Sequence, residues 1–163
     1  MHRLLSTIVV LAWGLWFGAI VMVFVTVTSL FATFADQRSV AGAAAAGVFR
    51  RFEALELLAA PVALLAAVLL RRRAAVFLAS HVLIALLSLA TLGAISSRFL
   101  ITPCIDELRR QAVPATSNQF KTLHRTASGA YSAQAVFLLA AGTLIPGIIG
   151  RSRGELPRRG DVL

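Results

Sequence analysis

From Leu4 to Ala35 the chain carries no charged side chain. As one helix that stretch reaches about 48 Å at about 1.5 Å per residue, more than the roughly 30 Å hydrocarbon core of a bilayer. A helix of this kind is expected to tilt or to project beyond the membrane. Composition closes the soluble alternative. Of 163 residues 58% are hydrophobic and 14% charged, with a mean hydropathy of +0.83, whereas soluble domains carry about a quarter charged residues. A domain of this size buries only about 70% of its unfolded surface, too little to hide so much apolar side chain from water. Thr33-Phe34-Ala35 before Asp36 resembles a cleavage site, and Arg3 is a minimal positive region ahead of it. The apolar stretch is nevertheless about twice the length of a signal-peptide core, so it reads as a retained span.

Three further spans follow the same logic. The second covers about Val48 to Leu70, cleanly apolar only from Leu57, with Pro61 expected to kink it. The third covers Ala74 to Ser97, uncharged but containing His81, and the fourth Thr126 to Gly150, with Pro146-Gly147 marking its end. Between these two lies the only long connection, Arg98 to Arg125, where Pro103 favours a break. Ile105, Leu108 and Ala112, three and four apart, predict a short amphipathic surface helix there. The fold class is therefore all-α: a polytopic four-transmembrane-helix bundle in a single domain (1–150), followed by a basic, disordered cytoplasmic tail (151–163).

The net charge of +9, which in a soluble chain would point to nucleic acid, divides between two membrane faces. The face shared by the termini holds Arg3, Arg71, Arg72, Arg73, Arg151, Arg153, Arg158 and Arg159; the other holds Arg38, Arg50, Arg51, Arg98, Arg109, Arg110, Lys121 and Arg125. The count is tied at eight each. Clusters in short loops against span ends weigh most, and Arg71–Arg73 form one, so both termini are expected in the cytoplasm of a bacterial-type inner membrane. The lipid bilayer is the expected partner and nucleic acid is not.

Polar groups inside spans are expensive and face the bundle interior or a water-filled cavity. On the fourth helix Lys121, His124, Ser128, Tyr131 and Gln134 fall within an arc of about 140°. The same end receives Arg50, Arg51, Glu53 and Glu56 from the second helix. Glu56 lies one to two turns inside, and a pairing with His124, Lys121 or an arginine is the expected way to hold it. The cluster reads either as a packing lock between two helices or as a site that binds a ligand, holds an ion or relays protons.

Gly14 and Gly18 form a small-residue pair suited to close helix packing within the bundle or to a homo-oligomer interface. Trp13 and Trp16 read as interface anchors. His81, about 10 Å from the Arg71–Arg73 turn, reads as a buried, hydrogen-bonded histidine or as an axial haem ligand. The alternating topology sets it too far from His124 to share a metal. Cys104, the single cysteine, excludes an internal disulfide and any cysteine-pair redox motif.

Trp13-Gly14, Ala41-Gly42 with Phe49-Arg50-Arg51-Phe52, Pro103-Cys104-Ile105-Asp106, and Phe120-Lys121-Thr122-Leu123-His124 with Ser128 follow one another across nearly the whole chain. This ordered set resembles the family of membrane proteins like transmembrane protein 205, a domain of unknown function. Tyr131-Ser132 departs from it where an Asn is expected soon after the Ser. The resemblance implies a four-helix membrane domain with no established reaction, and no cofactor is expected outside the haem or copper alternative. The leading expectation is thus a non-enzymatic membrane protein whose polar cluster handles a ligand or ion. A haem- or copper-associated redox protein using His81 or His124 is the alternative from a different class. A structural subunit of a membrane complex is the third.

Overall fold

The computed structural model describes residues 2–72 and 77–154. Four helices in it are long and apolar enough to cross a membrane. The chain enters α1 (His2–Thr33) and turns through residues 34–37 into α2 (Arg38–Arg71). It resumes in α3 (Phe77–Ser96), passes through a π-helical turn (Ser97–Ile101) into α4 (Thr102–Arg110), and returns in α5 (Asn118–Gly154). No strand occurs among the described residues. Neighbours around the bundle run α1–α2–α3–α5, with the α1–α5 seam the thinnest of the four.

The apolar runs form helices because lipid offers the backbone no other hydrogen-bond partner. What holds them together is a separate matter, since lipid tails are as apolar as leucine. α2 solves it with small residues: Ala59, Ala60, Ala63, Ala66 and Ala67 are all buried, so its backbone comes close to its neighbours. Leu70, Leu83, Leu87, Leu138, Ile145, Val9 and Leu5 fill the remaining space. The outward residues, among them Leu4, Leu11, Leu15, Leu58, Leu65, Leu78, Leu92 and Val136, form an apolar belt suited to the bilayer.

Three expectations change. The connection after the third span is mostly helical, for α4 continues from α3 without a break at Pro103. The π-helical turn explains this: the Thr102 N–H reaches back to the Ser97 carbonyl, and Pro103 sits in the first turn of α4, where its missing N–H costs least. The predicted amphipathic stripe is the inner face of that continuation, with Leu108 buried and Ile105 half-buried. Likewise Pro146 does not end the fourth helix, because α5 runs on to Gly154. The tail expected from Arg151 lies outside the described residues from 155 onward, as does Arg73 of the Arg71–Arg73 turn.

Non-helical backbone between α4 and α5 is confined to residues 111–117. There Ala112 takes φ 53°, its N–H bonded to the Arg109 carbonyl and that of Val113 to Leu108. This is the left-handed helix stop that glycine usually supplies. Ser117 opens α5, its Oγ accepting the Phe120 N–H at 3.2 Å, a side-chain cap on the first turn.

Candidate functional site

Glu53 and Glu56 lie one turn apart on α2 and are both fully buried. Carboxylates in such a place need donors, and α1, the π-helical turn after α3, α4 and α5 each provide at least one. Glu53 Oε1 accepts from the Tyr131 hydroxyl at 2.8 Å and from the Thr102 hydroxyl, and its Oε2 meets Arg98 Nη1 at 3.3 Å. Glu56 Oε2 accepts from Gln134 Nε2 at 2.5 Å and from Trp16 Nε1 at 3.3 Å. Two buried acceptors of the same network, Glu56 Oε1 and Gln134 Oε1, have no donor among the described residues.

The spacing on α5 thus places Tyr131 and Gln134 against the α2 carboxylates, diagonally across the bundle. The expected partners of Glu56 are not the ones found. It is held by an indole and an amide, and the ion pair found in the interior among the described residues goes from Glu53 to Arg98. Lys121, His124 and Ser128 share the stripe but not the burial: all three are exposed, because the first turns of α5 stand clear of the packed part of α2. Arg51 is exposed. Trp16, expected at an interface, is fully buried.

Those shallower residues line a cleft of about 650 Å³ instead, a size typical of small-molecule sites. Its walls come from α1 (Phe24, Val27, Phe31), α2 (Arg38 to Arg50), α4 (Thr102 to Arg109) and α5 (Phe120 to Tyr131). The Tyr131 ring closes its inner end, stacked on Phe49 at 5.2 Å between centroids and edge-on to Phe52 at 5.9 Å. One aromatic floor therefore separates the cleft from Glu53. At the wall Arg50 pairs with Asp106 at 2.9 Å, and Arg109 approaches the same carboxylate at 3.7 Å.

The glycine pair of α1 does not pack within the bundle: a Cβ at Gly14 or Gly18 would meet nothing within 4 Å. The close approach lies one helix away. A Cβ on Gly142 would overlap the Trp13 ring, whose Nε1 donates to the Leu138 carbonyl at 2.7 Å while its face stacks on Phe17. That contact is the α1–α5 seam, and a glycine in an otherwise ordinary apolar run gave no sign of it. His81 is half-buried on α3 and Cys104 exposed. Among the described residues no group of three or more His, Cys, Asp or Glu side chains is placed to hold a metal ion.

Residues 11–114 match the family described as a domain of unknown function (DUF4149), a stretch that takes in most of α1 and all of α2, α3 and α4. No curated protein and no solved structure matches the chain. The match covers more than half of the chain, which belongs to the DUF4149 family.

Proposed function

We propose that this member of the DUF4149 family is a non-enzymatic, multi-pass membrane protein that binds a small membrane-borne ligand in the cleft between α1, α2, α4 and α5. The observation that carries the reading is the pairing of an open cleft with a rigid floor. Tyr131 closes the cleft and is itself fixed by Glu53, which is in turn held by Arg98 and Thr102. A pocket whose wall is anchored by buried polar groups keeps its shape without a ligand, so binding pays little reorganisation. The placement of Arg71 and Arg72 at the end of α2 supports both termini facing the cytoplasm of a bacterial-type inner membrane. The cleft would then face the opposite side. The ordered motifs running from Trp13-Gly14 to Ser128 support the finer likeness to transmembrane protein 205, and outward-facing Gly14 and Gly18 support a homo-oligomer contact.

Gly42 lines the cleft, and a Cβ there meets nothing within 4 Å, so Gly42→Leu fills the space without moving backbone. It also exchanges a poor helix former for a good one. In nanodiscs of zwitterionic lipid the protein should give saturable fluorescence enhancement of the neutral dye N-phenylnaphthylamine above that of empty discs. Gly42→Leu should abolish the enhancement while leaving helicity intact. Equal enhancement in both proteins would end the cleft reading. A Soret band in the purified protein that vanishes in His81→Ala would replace it with the redox one.

A further inference from the structure

The cleft has a charge gradient along its length. Arg38 and Arg109 stand at its outer end with Lys121, while the inner end is built from Phe24, Phe49 and the Tyr131 ring. From Lys121 to Tyr131, or from Arg38 to Phe49, the helices rise about 15 Å. Four cations, Arg38, Arg50, Arg109 and Lys121, line the cleft against a single acid, Asp106. That carboxylate is already engaged by Arg50 and Arg109. The side chains of Arg38 and Lys121 take part in no hydrogen bond or ion pair among the described residues. Cationic heads at one end of an apolar slot, two of them unpaired, form the complement of a molecule with an acid group and a hydrocarbon tail.

We propose that the ligand of this cleft is a single-chain anionic amphiphile. Its acid group sits between Arg38, Lys121 and Arg109, and its chain runs inward along Phe24, Val27 and Phe49 to the Tyr131 floor. The assignment rests on the cleft-binding reading above and adds the class of ligand. Charge-assisted contacts to the head select the anion, and the walls replace lipid around the tail. A free anion would leave the apolar length of the cleft unused, and a neutral amphiphile would leave the cations unanswered.

The test uses the full chain in zwitterionic nanodiscs and a diazirine-bearing laurate analogue, with crosslinks mapped by mass spectrometry. Labelling should fall on the α1 and α2 walls, and laurate should compete it away. Monolaurin, the neutral ester of the same chain, should compete about tenfold less well, and acetate not at all. Arg38→Gln with Lys121→Gln, both on exposed side chains, should weaken laurate about tenfold, and Arg38→Lys with Lys121→Arg should restore it. Equal competition by monolaurin overturns the anionic assignment and leaves the cleft reading standing. Competition by acetate overturns the role of the chain. Labelling that is absent from the cleft, or unaffected by Gly42→Leu, overturns both.

Discussion

Between Ala59 and Leu70, α2 meets its neighbours through five buried alanines and a leucine; one turn earlier, from Phe52 to Glu56, it meets them through two buried carboxylates. The first region packs by shape. Its small residues let backbones approach, and the contacts are dispersion contacts at close range. The second region is held by directional bonds to Trp16, Arg98, Thr102, Tyr131 and Gln134. Directional bonds fix where groups stand without requiring the surrounding space to be filled, and the cleft lies beside this half of the bundle, not beside the alanine half. The difference shows how a membrane bundle can keep an opening: it replaces packing with polar anchoring on the side where the opening is.

Glu53 carries most of the polar half. A single hydrogen bond within a bilayer contributes about 0.6 kcal/mol on average, so removing one partner would settle little. Glu53→Ala removes the acceptor for Tyr131, Thr102 and Arg98 at once and strands a partly buried guanidinium. Stranding a fully buried charge costs about 3–5 kcal/mol; the Arg98 side chain keeps 39% exposure, so the expected loss lies at the lower limit, about 3 kcal/mol. Glu53→Gln, which keeps an acceptor for Tyr131, should lose about half as much. Reversible unfolding in mixed micelles measures both. If Glu53→Ala costs under about 1 kcal/mol, packing alone holds this half too, and the contrast with the alanine half disappears.

The four spans were legible because a charge-free run long enough to cross a bilayer has few other fates. Tyr131 and Gln134 were legible from their spacing with the residues before them, since a polar stripe on a spanning helix has to turn inward. The depth at which the stripe leaves the packed interior was not, because spacing gives direction around a helix but not where the facing helices draw apart. That is why Lys121, His124 and Ser128 line a cleft and do not join the buried lock. Trp16 was misread because an indole in an apolar run usually marks a membrane interface, and only the fold brings Glu56 to its N–H. Arg98 was hidden by Pro103, which read as the end of a helix when a π-helical turn carries the chain past it.

The α1–α5 seam offers a second contrast, between a glycine that packs and one that does not. Gly142→Ala would press a methyl into the Trp13 ring, and overpacking of this sort costs about 1–3 kcal/mol. The same change at Gly14 meets open space and should cost nothing, with a gain of up to about 1 kcal/mol from helix propensity. The pair of variants separates glycines that pack from glycines that face outward, in one stability measurement on each. Destabilisation at Gly14 to the degree seen at Gly142 would show that the outward face is covered, as by a second copy, and the loss should then depend on protein concentration.

The smallest effect is expected in the short connection that holds the cleft's outer wall. Ala112 stands at φ 53°, where a β-carbon is crowded and costs about 1–2 kcal/mol relative to glycine. Both hydrogen bonds of the helix stop, from Ala112 to Arg109 and from Val113 to Leu108, are made by backbone atoms and survive the change. Ala112→Gly should therefore raise stability by about 1 kcal/mol, less the added freedom of the unfolded glycine. Because Ala112 and Val113 both line the cleft, dye or laurate affinity in the same variant reports whether this strain bears on the opening. Raised stability with unchanged affinity assigns the strain to the helix stop alone. Raised stability with altered affinity makes residues 111–117 the point where the outer wall of the cleft is set. A loss of stability would mean that the left-handed turn at Ala112 is not how α4 ends.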